Sequence, residues 1–501
     1  MTAIERFLAD EAATVRFGED VAAALWIGDV IALQGDLGTG KTALARAVIR
    51  ALAADETLDV PSPTFTLVQT YETRLPVTHL DLYRLRSPAE LDELGFAEQL
   101  AGSVTLIEWP ERAGDRLPAG AITIELAHLN AGRMAHISGP QSALSRLRRS
   151  LDARDFLDRS GWSDAHRTHF SGDASARSYE SVSLPGREPV LLMNSPPLVL
   201  GPPVRGGKSY AEIAHTARTV AAFVAIDRLL GVAGFAVPAI HAENLDQGLL
   251  LIENLGSGSF TAPDGGPLAE RYAAAAELLA AMHRRSWPHE AEAAPGVVHV
   301  IPAFDRAAMM IEADLLLDWY VPAVKGRAAT AAERDGFAET WNAALDRIAD
   351  AETTLMLRDM QAPNIIWREE RQGFDRLGLI DFQDALIGPS AYDVASLAMD
   401  ARVTMPEDVE RQTVEAYVRA RQKAGPFDRA AFDLAYATMA AQRNSKILGI
   451  FVRLDRRDGK PVYLRHLPRI RAYLRRALAH PALAEMRAFY ERHEFLAERA
   501  L

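Results

Sequence analysis

Residues 35–42 read Gly-Asp-Leu-Gly-Thr-Gly-Lys-Thr, directly after the apolar run Val30-Ile31-Ala32-Leu33 and at the start of an Ala-rich helical stretch, Thr42 to Ala53. No other segment constrains the fold as strongly. A G-x-x-x-x-G-K-[ST] loop between a strand and a helix turns backbone N–H groups inward around phosphate, and the helix N-terminus adds positive potential. Gly35, Gly38 and Gly40 let the loop turn, and Asp36 and Thr39 complete it. Lys41 can reach the β/γ oxygens of a nucleotide, and the Thr42 hydroxyl can ligate magnesium. A chance glycine-rich turn is the competing reading, and the complete motif in this setting outweighs it. Short apolar runs alternate with helical segments from about residue 20 to 130, with Val104 to Ile107 as a further strand. That alternation predicts an α/β fold with a parallel sheet.

A phosphate loop does not say what the nucleotide drives. Three further segments narrow the question. Ser62-Pro63-Thr64-Phe65 suits a loop that senses the γ-phosphate, with Thr64 as a hydroxyl ligand; a Pro-bounded strand entry is the plainer alternative. His79-Leu80-Asp81-Leu82-Tyr83-Arg84 supplies Asp81 for a magnesium shell. Ile107-Glu108-Trp109-Pro110-Glu111-Arg112 puts Glu108 at the C-terminal end of an apolar strand, where such a fold needs an acid to order magnesium or the attacking water. Singly, Asp81 and Glu108 read equally well as surface acids, and Trp109 as a packing residue.

The ordered set G-D-L-G-x-G-K-T, S-P-T-F, H-x-D-x-Y-R-L and I-E-W-P-E-R resembles the TsaE family over roughly the first 140 residues. The resemblance implies a P-loop ATPase that supports threonylcarbamoyladenosine formation in bacterial tRNA, working with TsaB- and TsaD-type partners. It implies nucleotide roles for Lys41 and Thr42 and catalytic roles for Asp81 and Glu108. The formal net charge of -12 disfavours broad adhesion to nucleic acid or to anionic membranes. That is no objection, since other members of such an assembly are expected to hold the tRNA.

At 501 residues the chain exceeds what one core usually serves. It has no cysteine, which excludes disulfides, thiol nucleophiles and cysteine zinc sites. The opening residues carry Glu5, Asp10 and Glu11 where a signal peptide needs a basic start and an apolar core. The apolar stretch Thr219 to Ile240 is interrupted by Asp227, Arg228 and Pro238, so it reads as helix plus strand of a soluble core. A cytoplasmic location is expected. Residues 1–143 form the expected ATPase domain, and 144–156 a linker whose basic run reads as a solvated helix, with contact to RNA or a partner as the alternative. Strand-like pieces around Ser178 to Leu184, Val190 to Met193 and Leu249 to Ile252, with a helix near Tyr210 to Leu230, predict a small lobe over 157–256. Helical patterns with strand-like stretches at Asn364 to Trp367 and Leu377 to Ile380 predict a larger lobe over 257–501. This is the α+β bilobal plan of a protein-kinase-like phosphotransferase.

Leu357-Arg358-Asp359-Met360-Gln361-Ala362-Pro363-Asn364 carries the spacing Asp-x4-Asn, and Asp381 follows 17 residues after Asn364 in Leu379-Ile380-Asp381-Phe382. In kinase-type sites an Asp accepts the proton of the substrate hydroxyl, an Asn binds one magnesium, and a strand-end Asp bridges metals and phosphates. Asp359, Asn364 and Asp381 take those roles. Ser175, in Gly172-Asp173-Ala174-Ser175, lies where a phosphate-covering loop belongs, although small polar runs are usually turns. Glu253, in Ile252-Glu253-Asn254, sits in the segment that joins the lobes and meets adenine. Asp393 either bonds the catalytic-loop backbone or serves as a helix N-terminal acid, and His283 reads as structural. The third strand, Val190-Leu191-Leu192-Met193, lacks the usual phosphate-holding Lys, so Lys208 or Arg177 substitutes or the site is weakened.

Residues 155 to 500 resemble the aminoglycoside phosphotransferase superfamily, and within it AmgK-type kinases, through G-D-A-S, L-M-x-x-P-P, R-D-M-Q-A-P-N and I-D-F-Q-D-A-L-I-G-P-x-x-Y-D. The resemblance implies ATP- and Mg2+-dependent phosphorylation of the anomeric hydroxyl of an amino sugar, N-acetylmuramate or N-acetylglucosamine, in cell-wall recycling. AmgK-like kinases share the strand without Lys. Two other readings stand beside it: a nucleotide-switched interaction protein carrying a ligand-sensing pseudokinase, and an aminoglycoside-modifying kinase, which calls for an acidic substrate cleft.

Overall fold

Val30–Gln34 and Val104–Glu108 lie side by side as parallel strands buried almost throughout, which is why neither alternates polar with apolar residues. The computed structural model describes residues 4–93, 96–170 and 177–498. Contacts group them into two units, Met1–Pro196 with Ile240–Asn254, and Pro197–Ala239 with Leu255–Leu501.

In the first unit, seven strands among the described residues form one sheet in the order β1 (Ile4–Leu8), β7 (Gly132–Ser138), β6 (Ile122–Leu129), β2 (Val30–Gln34), β5 (Val104–Glu108), β4 (Val77–Asp81) and β3 (Val68–Tyr71). The central four run parallel as the sequence predicts; β1, β3 and β7 join antiparallel at the edges. Helices α1 (Glu11–Ala24) and α2 (Lys41–Ala53) pack together at Gly18, where an added Cβ would fall 2.4 Å from the Ala47 Cβ. The short α3 (Glu90–Glu93) and α4 (Phe96–Gly102) lead into β5.

The expected linker lies inside α5 (Gln141–Arg159), helical as expected but not solvated. Leu144, Leu147 and Leu151 join the core of the first sheet, while Ala153, Phe156 and Leu157 join the core of a second, antiparallel sheet. That sheet is ordered β13 (Ile240–Asn244), β14 (Leu249–Glu253), β10 (Val190–Asn194), β9 (Ser178–Ser183) and β8 (His166–Phe170). Three arginines of α5 are engaged in ion pairs and hydrogen bonds. Arg146 pairs with Asp29, Arg149 donates to Asn194, and Arg154 bonds Asp20 and Glu19. A run that looks like a charged linker is thus the shared wall of two cores.

In the second unit, a hairpin of β11 (Pro203–Arg205) and β12 (Lys208–Ser209) precedes α6 (Tyr210–Ile213) and α7 (Ala221–Val232). The sequence suggests one helix here. The chain breaks it because His215 adopts a left-handed backbone, φ 54°, and the Ala217 N–H donates to the Asp384 carboxylate at 2.7 Å instead of to a helical carbonyl. There follow α8 (Ala269–His283), the hairpin of β15 (Glu290–Ala294) and β16 (Val297–Val300), α9 (Arg306–Ala313), α10 (Val321–Lys325) and α11 (Ala331–Asp346). Strand β17 (Thr353–Met356) pairs with β20 (Leu386–Pro389), and β18 (Ile365–Trp367) with β19 (Leu377–Leu379). Helices α12 (Ala391–Ala398), α13 (Glu407–Ala424), α14 (Arg429–Asp458), α15 (Leu467–Leu478) and α16 (Ala484–Arg492) complete the unit. Among the described residues no helix is long and apolar enough to cross a membrane.

Candidate active sites

Parallel pairing builds the first site. Register sets Glu108 opposite Leu33 on one side and Asp81 on the other, so the phosphate loop, Glu108 and Asp81 all leave the same edge of the sheet. This carboxyl edge is where open α/β sheets place ligands. The backbone is left-handed at Gly40, φ 99°, and at Gly35 an added Cβ would sit 2.3 Å from the Leu126 carbonyl oxygen. Both positions therefore need glycine. Thr39 is 1 % exposed and its hydroxyl donates to the Asp36 carbonyl at 2.9 Å, which ties the loop to itself.

The Lys41 ammonium donates to the Gly35 and Asp36 carbonyls at 2.7 and 2.9 Å, and stands 3.7 Å from the centre of the Trp109 ring. Burial lowers its pKa, against the pull of Glu108 and Glu111. Thr42 Oγ1 donates to Glu108 Oε2 at 2.8 Å, and His79 Nε2 lies 3.0 Å from Glu108 Oε1. Asp81 Oδ2 accepts from Ser62 and Thr64, both at 2.6 Å, and its Oδ1 from the Tyr83 N–H at 3.0 Å. Sequence reasoning missed Ser62 and His79. His79 shares a strand face with Asp81 through its i, i+2 spacing, which is a signal the sequence does carry.

The second site grows from a hairpin. Ile365 pairs with Leu379, and the Ile380 N–H donates to the Asn364 carbonyl at 3.0 Å, so Asn364 and Asp381 emerge together at one end. Asn364 Nδ2 donates to the Asp359 carbonyl at 2.8 Å and approaches Asp381 Oδ2 at 3.4 Å. All three residues named from the spacing therefore meet. Arg358 and Asp381 hold left-handed backbones, φ 75° and 62°, a strain that persists where the surroundings over-determine it. Asp393 supplies that constraint, accepting from the Leu357 and Arg358 N–H groups at 2.6 and 2.8 Å, and Asp400 takes the Ala362 N–H at 2.7 Å.

Beneath the loop lies a buried ionic cluster that no motif announced. Glu312 on α9 is fully buried and bonds Arg358 and Lys446, the latter at 2.8 Å. Burial opposes its charge, yet the Arg358 and Lys446 cations prevail and hold its pKa at about 2. Arg443, from α14, stands 3.9 Å from Asp359 Oδ1. Arg358 and Lys446 are thus compensated by Glu312, and Arg443 is the cation that faces the Asp359 carboxylate.

β10 carries no lysine, and Lys208 is exposed on the β12 hairpin. Ser175 lies outside the described residues, and Glu253 is the last residue of β14 in the first unit. Among the described residues no cluster of three His, Asp or Glu forms a self-sufficient metal cage. Magnesium suits such a donor set, because it commonly takes one or two protein oxygens and completes its shell with phosphates and water. The Asn364 amide hydrogens point to Asp359 and Asp381, leaving its Oδ1 as an oxygen ligand.

A nucleotide-phosphate loop on a parallel sheet and a kinase-type catalytic loop on a separate unit define a P-loop ATPase joined to a phosphotransferase. Residues 166–434 match the phosphotransferase enzyme family, and residues 8–135 match the threonylcarbamoyl adenosine biosynthesis protein TsaE family. The N-acetylmuramate/N-acetylglucosamine kinase of Caulobacter vibrioides is 33% identical over 353 residues, 68% of this chain and 94% of that protein. The kinase of the same name from Pseudomonas putida is 33% identical over 271 residues, 53% of this chain and 75% of that one. The tRNA threonylcarbamoyladenosine biosynthesis protein TsaE of Rickettsia bellii is 42% identical over 127 residues, 25% of this chain and 88% of that protein. The chain belongs to both families: it is a bifunctional enzyme in which a TsaE-family ATPase is fused to a kinase of the phosphotransferase family.

Proposed function

We propose that the second site transfers the γ-phosphoryl group of ATP to the anomeric hydroxyl of N-acetylmuramate or N-acetylglucosamine, and that the first hydrolyses ATP in support of tRNA threonylcarbamoylation. The convergence of Asp359, Asn364 and Asp381 carries the kinase reading. Asp359 accepts the proton of the sugar hydroxyl as the hydroxyl oxygen attacks the γ-phosphorus and the bond to the departing ADP breaks, and Asn364 and Asp381 would hold magnesium. Magnesium bound there neutralises charge on the phosphate oxygens.

In the first site, Lys41 and Thr42 with Gly35, Asp36, Gly38, Thr39 and Gly40 are assigned to the phosphates and magnesium. Asp81, Thr64 and Glu108 are assigned to ordering magnesium and the attacking water. The contact of Thr42 with Glu108 supports this assignment, and family resemblance supports nucleotide contacts for Ser175 and Glu253. TsaB- and TsaD-type proteins are the proposed partners and the cytoplasm the proposed location. We assign residues 1–143 to the ATPase and 157–256 with 257–501 to the kinase lobes.

The test is product identification by phosphorus NMR after incubation with ATP, magnesium and each sugar. The reading expects a glycosyl 1-phosphate from the amino sugars and no product from Asp359→Ala. Phosphorylation of kanamycin alone would refute it.

A further inference from the structure

A cavity of about 450 Å³ opens in the second unit where the end of α8 meets the start of β17. None of Asp359, Asn364 and Asp381 lines it. Its floor is Thr354 and His283, 4 % and 3 % exposed. Thr354 Oγ1 and His283 Nε2 have no hydrogen-bond partner, although such groups are normally satisfied when buried. At the rim stand Arg284 and Arg285, both exposed and without a carboxylate partner among the described residues. The remaining guanidinium, Arg421, is already neutralised by Glu352 at 2.6 Å. The walls thus carry two uncompensated positive charges above an unsatisfied polar floor. An adjoining depression that shares Arg284 is lined by Arg419 and Lys423 together with Glu277.

We propose that this cavity is a binding site for a small phosphate ester, separate from both nucleotide centres. A dianionic phosphate matches the Arg284 and Arg285 guanidinium groups, which have no carboxylate partner among the described residues although Arg285 also stands 5.5 Å from the centre of the Phe235 ring. Guanidinium binds phosphate in bidentate fashion. Thr354 donates a hydroxyl hydrogen to the ligand, and a volume of this size accepts a phosphorylated metabolite rather than a bare ion. The recessed floor favours a small molecule over a nucleic-acid backbone, which Arg284 and Arg285 alone would meet. The site also lies on the path to the catalytic loop. Thr354 lies in β17, which leads through Leu357 and Arg358 to Asp359, and His283 Nε2 stands 4.0 Å from Asp393 Oδ2, the carboxylate that holds the loop backbone.

Calorimetric titration of the full chain with glycerol 3-phosphate tests this, with both nucleotide centres filled by magnesium and a non-hydrolysable ATP analogue. The expected result is one site per chain, weakened at least tenfold in the double variant Arg284→Glu/Arg285→Glu and several-fold in Thr354→Val. Asp359→Ala should bind as the wild type does. Circular dichroism melting confirms that each variant is folded, and the two arginine changes lie on exposed side chains. No binding to the wild type, equal binding by the double variant, or loss of binding in Asp359→Ala would overturn the proposal. So would binding of tRNA through Arg284 and Arg285 in the absence of glycerol 3-phosphate binding.

Discussion

The ammonium of Lys41 rests 3.7 Å from the centre of the Trp109 ring while its hydrogens go to carbonyls of its own loop. The lysine we assign to phosphate is thus held by its own loop and by Trp109. The left-handed backbone of Trp109, φ 57°, turns the indole over it directly after Glu108. A cation–π contact of this kind contributes about 0.5–2 kcal/mol.

On the proposed role of Lys41, Lys41→Ala should reduce ATP hydrolysis by about a hundredfold or more, since it removes the charge assigned to the phosphates. Trp109→Leu, which removes only the support, should lower turnover by roughly 2–30-fold, the range that contact energy spans. Steady-state phosphate release measures both. Equal losses in the two variants would mean that Trp109 acts in some other way.

Glu108→Gln should separate binding from hydrolysis. The amide can still meet Thr42 and His79 but cannot order magnesium or water as a carboxylate does. Fluorescent-nucleotide titration is expected to give near wild-type affinity while turnover falls about a hundredfold. Loss of affinity with turnover retained would contradict the assignment.

The Glu312 carboxylate makes the kinase unit acid-sensitive in a defined window. Its folded pKa, about 2, lies below the ordinary 4.5. Such a depressed acid contributes stability that is complete above the unfolded value and is lost as pH falls from 4.5 towards 2, here about 3 kcal/mol. Glu312→Gln leaves Arg358 and Lys446 buried without their counter-charge and should destabilise the unit by about 3–5 kcal/mol at neutral pH. Denaturant melts of wild type and variant from pH 7 to 3 should converge as pH falls. Parallel curves would show that Glu312 is not the group being titrated.

Asp20 offers a matching test in the first unit. It is 2 % exposed on α1 and receives Arg154 of α5 at 3.0 Å and Arg167 of β8 at 2.7 Å. Asp20→Ala should destabilise that unit by about 3–5 kcal/mol, because two guanidinium groups lose their shared partner. A thermal melt that moves by less than a degree would mean that Glu19 and Glu180, which also bond these arginines, suffice.

Both candidate sites are legible in the sequence because each is local. Gly35 to Thr42 and Asp359 to Asn364 are continuous stretches whose spacing is itself the chemistry. What lay hidden is long-range. Nothing in the sequence says that Glu312 would find Arg358 and Lys446, or that Asp20 would find Arg154 and Arg167, since such pairs form only when separate elements pack. The basic run in α5 looked like a solvated linker for the same reason: composition records its charges but not the carboxylates waiting for them. The break between α6 and α7 was invisible because its cause, Asp384, lies far along the chain.

One paired assay tests whether the chain carries two independent catalytic centres. ATP hydrolysis with TsaB- and TsaD-type partners and phosphorylation of N-acetylmuramate are measured side by side on wild type, Lys41→Ala and Asp359→Ala. The wild type should perform both reactions, Lys41→Ala should lose only the first and Asp359→Ala only the second. Loss of both activities in either variant, with the fold intact by melting, would contradict that independence.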